Sequence, residues 1–267
     1  MIKNNKKRRK KLSFEVIGDI AILQVKRKYN EIKKIAAQIV KENKHISTVA
    51  LKVDKVKGRL RKRKLKIIVG KRNFITIHKE NKCIMKLNIA TCYFSPRLAN
   101  DRAEIARQIV GRKKVLVMFA GVAPYALVIA KFNPKSRVIA VELSREACMY
   151  ANENVKLNKL ENLEVICGDV KKIIPKLERK GIKFDFIVMP RPQLKDSFLK
   201  EAFKVSKRNT TIFFYDFVNE DMLNCIADRI KEEAKKCGRT IRIINIKKSG
   251  EIAPYRFRVR VDFKVTS

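Results

Sequence analysis

VLVMFAGVAPYALVIA at residues 115–130, continued by RVIAVELS at residues 137–144, is the stretch that decides the fold. An apolar β-branched run, a turn holding Gly121, a helix opened by Pro124 and a second apolar run closing on Glu142 spell a βαβ unit. The acid lies about 20 residues past the glycine, the spacing that brings the end of the second strand beside the turn after the first. Such a turn aims backbone N–H groups and a helix N-terminus at a ligand, and the acid can accept both hydroxyls of a ribose. A nucleoside-cofactor site is expected here.

The glycine pattern narrows the cofactor. Dinucleotide sites need G-x-G-x-x-G because a pyrophosphate lies against bare backbone; here Ala123 takes the second position and the third glycine is absent. S-adenosylmethionine offers an adenosine to Glu142 and carries no phosphate, so one glycine beside the methionine arm suffices. Phe119, Gly121 and Val122 of the loop, Glu142 and Leu143 after the second strand, and Asp169 and Val170 after the third are the expected cofactor-binding residues.

Downstream, Ser144 is placed to cap a helix running to about residue 158, and LEVICGD forms a third strand whose Asp169 can reach an adenine amino group. KFDFIVMP reads as a fourth strand, residues 195–206 as a helix, TTIFFYDF as a fifth strand and residues 219–236 as an amphipathic helix. IRIINIKK and YRFRVRVDFKV alternate with period two on either side of Ser249 and Gly250, which predicts an antiparallel pair at the end of a mostly parallel sheet. That ending marks a Rossmann-like class I methyltransferase domain of α/β class, with an antiparallel C-terminal strand.

Composition bounds the partner. Lysine and arginine number 64 against 26 acids, a formal charge of +38, concentrated at residues 3–11 and 52–72. Self-repulsion on that scale favours binding to a polyanion, and nucleic acid is preferred to a membrane because no apolar run reaches the roughly 20 residues a span requires. A lysine-rich surface is also a general adaptation to heat or high salt, the alternative source of the same charge. The opening segment lacks the apolar core of a signal peptide, so a cytoplasmic protein is expected. The six cysteines, Cys83, Cys92, Cys148, Cys167, Cys225 and Cys237, include no C-x-x-C pair, and only two histidines accompany them. They read as small core residues, with no metal site.

Residues 93–267 hold the methyltransferase domain, and residues 1–12 form a basic tail. Between them, residues 13–92 read as a small α+β domain. FEVIGDIAILQV is a hairpin turning at Gly18 and Asp19, EIKKIAAQIVKEN puts Ile32, Ala36, Ile39 and Val40 on one helical face, and STVALKV, LKIIVG and FITIHK are strand candidates.

FEVIGDIAIL at residues 14–23, the G-x-x-R from Gly58 to Arg61, TIHKENKC at 76–83, YFSPRLANDR at 93–102, MFAGVAP at 118–124 and ENVKLNKLENLEVICGDV at 153–170 resemble the archaeal and eukaryotic tRNA (guanine-37 N1)-methyltransferases. The resemblance covers everything after the basic tail. It implies a ferredoxin-like RNA-binding domain joined to a class I methyltransferase domain. Such an enzyme, a monomer, acts through S-adenosylmethionine on the guanosine just 3′ of the anticodon and grips the anticodon stem-loop and body of tRNA. A further N-terminal domain of some members is missing here, which leaves the basic surface to hold the tRNA body.

Guanine N1 carries a proton and becomes nucleophilic only when that proton leaves, while charge builds on O6; the site therefore needs a base and a cation or donors. By resemblance, Asp101 occupies the general-base position, where the family pattern has glutamate, and Arg61 the position that contacts O6. A surface carboxylate at a helix start is the competing reading of Asp101. Tyr93, Arg97, Pro190, Arg191 and Pro192 fall at substrate-contacting positions. Three departures stand out: Val117 in place of an acid, Ser144 in place of asparagine, and MPRP at residues 189–192 in place of asparagine-leucine-proline-lysine. Pro190 has no side-chain amide for the guanine edge, so Arg191 or a backbone carbonyl is left to substitute.

A wyosine-precursor methyltransferase at the same nucleotide, alone or combined with the first activity, is the alternative, and a non-catalytic RNA-binding relic is a weaker one. Amino-group methyltransferases are disfavoured because MPRPQL lacks their [ND]-P-P-[YFW] motif. The pair Pro96 and Arg97 argues against the wybutosine aminocarboxypropyl transferase, which shares the fold.

Overall fold

The computed structural model describes residues 14–25, 27–53, 63–190, 196–223 and 225–267. Arg61, Arg191, Pro192, the G-x-x-R segment and the basic tail lie outside them. Strands β1 (Phe14–Ile17) and β2 (Ile20–Leu23) form the expected hairpin, closed by the pair Ile17 and Ile20 around Gly18 and Asp19. Helix α1 (Tyr29–Glu42) then crosses to β3 (Thr48–Lys52), parallel to β2, and β4 (Leu65–Val69) returns antiparallel to β3. Ile32, Ala36 and Ile39 are buried on α1 and pack with Ala21, Leu23 and Val49 of the sheet. The spacing of those apolar residues is what docks the helix.

This small domain is α+β, but its strand order, β1-β2-β3-β4, departs from the ferredoxin-like arrangement that the resemblance implied. Ferredoxin-like folds put a helix between their first two strands. Here a two-residue turn joins β1 to β2, so they pair directly, and among the described residues one helix covers the sheet.

FITIHK does not join that sheet. Its strand β5 (Ile75–Glu80) pairs with β6 (Cys83–Asn88) as a separate hairpin. Alternate residues of β5 carry the join between the parts of the chain. Thr76 Oγ1 donates to Asp19 at 2.6 Å and accepts from its N–H at 3.1 Å, His78 Nδ1 accepts from the Gly18 N–H at 3.3 Å, and Glu80 takes a bidentate pair from Arg102 at 2.5 and 2.6 Å. Gly18 has φ +57°, and a Cβ there would lie 2.1 Å from Thr76 Oγ1 and 2.5 Å from the Ile77 carbonyl oxygen. Both the backbone conformation and the close approach demand glycine.

A short 3-10 turn (Pro96–Leu98) leads into α2 (Ala99–Gln108). The larger domain then alternates strand and helix through β7 (Lys114–Met118), α3 (Pro124–Phe132), β8 (Arg137–Glu142), α4 (Arg145–Leu157), β9 (Leu163–Cys167), α5 (Val170–Arg179), β10 (Phe184–Met189), α6 (Leu199–Lys204) and β11 (Ser206–Asn219). After α7 (Ile226–Lys236) come β12 (Ile241–Ala253) and β13 (Arg256–Val265). The seven strands lie in the order β12-β13-β11-β10-β7-β8-β9, with β13 antiparallel to both its neighbours and the pairs from β11 to β9 parallel. The expected antiparallel ending is present, but the turn falls at Pro254 and Tyr255 rather than at Ser249 and Gly250. Gly250 instead sits at a register shift inside β12, with φ +144°.

Two asparagines, Asn154 in α4 and Asn158 at its C-cap, lock the hairpin to this domain. Asn154 accepts from the Lys86 N–H at 2.7 Å and donates to its carbonyl at 3.1 Å, and Asn158 does the same for Ile84 at 2.8 and 2.6 Å. Four helical residues rise about 6 Å and two strand residues about 6.6 Å, so the amides fit successive outward positions of β6 and satisfy an edge that lacks a strand partner. Cys83, Met85 and Leu87 fill the layer between this domain and the small sheet, beside Ile20, Ile22 and Ala50. Of the cysteines read as core, Cys83, Cys92 and Cys148 are buried, whereas Cys167 and Cys225 are exposed because they sit where an edge strand ends and where α7 begins. No helix among the described residues is long and apolar enough to cross a membrane.

Burial works against the Glu80 charge, but hydrogen bonds from His78 and Arg102 outweigh it and hold this carboxyl below its ordinary value of 4.5. A depressed folded-state value means stability that is present above the ordinary range and lost as pH falls through the folded one. Thermal unfolding should therefore show an acid-side loss beginning below about pH 4.5. Glu80→Gln should cost about 3–5 kcal/mol at neutral pH, because Arg102 is left buried and unpaired, and should flatten that acid limb. A variant that melts with the wild type at every pH would remove Glu80 from the join.

Candidate cofactor and catalytic site

A cavity opens at the C-terminal ends of β7, β8 and β10, the edge at which parallel α/β sheets present their loops to ligands. Of the residues expected to bind cofactor, Phe119, Gly121, Glu142, Leu143, Asp169 and Val170 line it, joined by the substrate candidates Tyr93 and Pro190. The loop after β7 is held open by left-handed residues, Phe119 at φ +59°, Gly121 at +60° and Ala123 at +67°, before Pro124 starts α3. At Gly121 the nearest atom to an added Cβ would be the Tyr93 carbonyl oxygen at 3.7 Å, so the backbone angle rather than space selects glycine.

Glu142 does more than face the cavity. Its Oε2 accepts from the Gly121 N–H at 2.7 Å, across 21 residues, and its Oε1 accepts from the Ser144 N–H at 2.8 Å. The spacing read from the sequence is thus a direct contact that ties the first loop to the second. Each oxygen keeps a further lone-pair direction for a ribose hydroxyl. Ser144 caps α4 through the Ala147 N–H, and Asp169 caps α5 through the Lys171 N–H at 2.9 Å, which turns both helix starts toward the cavity. The donor set suits a nucleoside cofactor: a shared acid, left-handed loop backbone, and the apolar side chains of Phe119, Leu143 and Val170.

Asp101 is not a surface carboxylate. It lies in the first turn of α2 but is 8 % exposed, behind the cavity wall. Its Oδ2 accepts from the hydroxyls of Tyr125, at 2.6 Å, and Tyr215, and its Oδ1 accepts from Arg260 Nη1 at 2.7 Å. Tyr125 lines the cavity, so Asp101 stands one side chain back from it. Arg260, fully buried, also pairs with Asp262 and Glu104, and those bonds outweigh burial to raise it above the ordinary arginine value. The Tyr125 phenol is pushed up to about 12 by burial, with the Asp101 charge adding to it, which keeps it a hydrogen-bond donor.

Besides Asp101, two expected residues among the described ones do not line the cavity. Val122 is fully buried in the core beneath the loop, where its carbonyl accepts from Asn154, and Arg97 is exposed on the 3-10 turn. Sequence reasoning missed Tyr125, Tyr215, Arg258 and Arg260. The one signal available was the row of charges in RVRVD, residues 258–262, which reads as a solvent face. Arg258, Arg260 and Asp262 are buried instead, while Val259 and Val261 fill the opposite face of β13.

The profile of the TRM5/TYW2 methyltransferase domain matches residues 76–243, and that of the TYW2 N-terminal domain matches residues 2–73. The chain is 33 % identical to the tRNA (guanine(37)-N(1))-methyltransferase Trm5b of Pyrococcus abyssi over 95 % of this chain and 75 % of that one. The crystal structure of that Trm5b superposes with a TM-score of 0.83 at 32 % identity, covering 96 % and 75 % of the two chains. The tRNA (guanine(37)-N(1))/4-demethylwyosine(37)-methyltransferase Taw22 of Nanoarchaeum equitans is 30 % identical over 94 % of this chain and 99 % of its own. The structure of M. jannaschii TYW2 in complex with AdoMet matches at a TM-score of 0.71 and 25 % identity, covering 95 % and 99 %.

Glu142→Ala should weaken binding of S-adenosylmethionine by about 1.5–3 kcal/mol, since both ribose hydroxyls lose a charged acceptor. Titration calorimetry on protein first shown to melt normally reads this directly. An unchanged dissociation constant would displace Glu142 from the cofactor.

Proposed function

Because this chain belongs to the TRM5/TYW2 methyltransferase family, we propose that it transfers a methyl group from S-adenosylmethionine to N1 of guanosine 37 in tRNA, as a cytoplasmic monomer. The observation that carries the reading is the juxtaposition of Glu142 on one wall of the cavity with Tyr125, and Asp101 behind it, on another. One wall suits a nucleoside cofactor and the other a proton acceptor. When bound, S-adenosylmethionine supplies a methyl group on a sulfonium centre.

Asp101 is the proposed base. Its carboxylate takes the N1 proton as the N1 lone pair forms the new bond to the methyl carbon, and the carbon–sulfur bond breaks to leave a neutral thioether. Asp101 reaches the base either by leaving its tyrosine partners or through the Tyr125 hydroxyl, which gives its proton to Asp101 while taking that of N1. By either route Asp101 ends neutral, and Arg260 keeps its pairs with Glu104 and Asp262. Tyr93 and Pro190 border the space for the guanine, Arg61 is assigned to its O6, and Arg97, Arg191 and Pro192 to the substrate. Glu142, Leu143, Asp169 and Val170 hold the adenosine, and Phe119 and Gly121 the methionine arm.

Residues 13–92 serve in this reading as the RNA-binding domain, with the β5–β6 hairpin as the layer that fixes its position. The basic tail and the run at residues 52–72 supply phosphate contacts to the anticodon stem-loop and body. The likeness to Taw22 and to the TYW2 N-terminal domain makes a wyosine precursor at the same nucleotide a second substrate to test.

Incubation of unmodified tRNA with labelled S-adenosylmethionine, followed by nucleoside mass spectrometry, should yield 1-methylguanosine; label in any other nucleoside would overturn the reading. Asp101→Asn should lower the single-turnover rate about 10²–10⁴-fold with cofactor and tRNA affinity nearly intact. Retention of the wild-type rate and pH profile would make Asp101 a structural anchor of Arg260.

A further inference from the structure

Arg258 stands apart from every other buried charge around the cavity. It lies on β13 opposite Phe217 of β11, is 8 % exposed, and lines the cavity beside Tyr93, Tyr125 and Pro190. Its guanidinium rests over the Tyr215 ring at 4.3 Å. Its Nε is buried without a hydrogen-bond partner, and among the described residues no carboxylate pairs with it. Its neighbour Arg260, two residues along the same face, has three acids. Fully buried arginines are otherwise found paired, because leaving the charge uncompensated costs several kcal/mol. A guanidinium held by an aromatic face in a cavity wall, with a buried donor left without a partner, is an unmet demand for an acceptor.

The position of Arg258 identifies that acceptor. The hydroxyl of Tyr215 donates to Asp101, and the ring of the same tyrosine carries Arg258. Base and cation are therefore set side by side by one rigid side chain. In guanine, N1 and O6 are neighbours on one edge of the ring, so removal of the N1 proton places negative charge beside the point where the proton leaves. The adenosine end of the cavity, at Glu142 and Asp169, already offers acids as acceptors for the hydroxyls and amino group of the cofactor.

We infer that Arg258 is a second catalytic cation of this site, donating to the guanine O6 as charge develops there. The inference rests on the guanine-N1 reading above and adds to it a residue outside the segments that carry the family resemblance. Burial works against the charge of Arg258, but Tyr125, Tyr215, Tyr93 and Asp101 together outweigh it.

The test is single-turnover methylation of unmodified tRNA by wild type, Arg258→Ala, Arg258→Gln and Arg258→Lys, each checked by thermal melting, with cofactor and tRNA affinities measured in parallel. Arg258→Ala and Arg258→Gln should be about 10²–10³-fold slower at saturation, with both affinities within about threefold of wild type. Their rates should need higher pH to rise, because N1 gives up its proton less readily without the cation, and free guanidinium should restore part of the Arg258→Ala rate. Arg258→Lys should fall between. Loss of S-adenosylmethionine affinity with an unchanged saturated rate would overturn the inference in favour of a contact to the cofactor carboxylate. A wild-type rate in Arg258→Gln, or a slow Arg258→Ala with unshifted pH profile and no response to guanidinium, would reduce Arg258 to packing. If wild type makes no 1-methylguanosine, the reading beneath the inference fails, which is a separate outcome from any difference among the variants.

Discussion

One carboxylate, that of Glu142, sets the geometry of the cavity. By accepting from the N–H groups of Gly121 and Ser144 it joins the loop after β7 to the turn after β8, and so fixes the starts of α3 and α4 relative to each other. Both bonds are charge-assisted and roughly twice as strong as neutral ones. The left-handed residues at positions 119, 121 and 123 hold the loop in the shape that meets the acid. A ligand that uses the same carboxylate arrives at a surface whose donors are already committed, and pays little to organise it.

Opposite it stands a cluster of buried charge organised by Arg260. Asp101, Glu104 and Asp262 surround one guanidinium, and two tyrosines complete the bonding of Asp101. Fixed dipoles and charges of this kind need no rearrangement when a proton moves, which is the main way a protein site accelerates charge-separating chemistry. The cluster also ties α2 to β13, so in the proposed reaction catalysis and packing draw on the same bonds.

How much of this was legible in the sequence depended on range. The Gly121–Glu142 contact could be read because one βαβ unit contains both residues, and local geometry fixes where each lands. The apolar face of α1 was equally plain, since a period of 3.6 is a local property. The partners of Arg260 were hidden: Asp101 and Glu104 lie 159 and 156 residues away, and no periodicity reports such pairs. Charges alternating with valine on β13 have the pattern of a strand with one wet face, whereas α2 and the tyrosines bond to that face here. Glycine at 250 is the stronger local turn signal, yet the chain turns at Pro254 and Tyr255, where Tyr255 takes φ +57°. Tertiary pairing of β12 with β13 overrode the local turn signal.

The TIHKE strand explains why a short motif can mark so much of the chain. Its alternate residues answer to two distant elements, Thr76 and His78 to the turn at Gly18 and Asp19, and Glu80 to α2. The asparagine latch between α4 and β6 acts on chain length. Helix and strand advance by different amounts per residue, and their repeats coincide here only because four steps of one nearly equal two of the other. Insertion or deletion of a single residue between 154 and 158, or between 84 and 86, would put both amides out of phase with the strand together. The geometry thereby fixes the length of these two short segments, a constraint that surface loops do not carry.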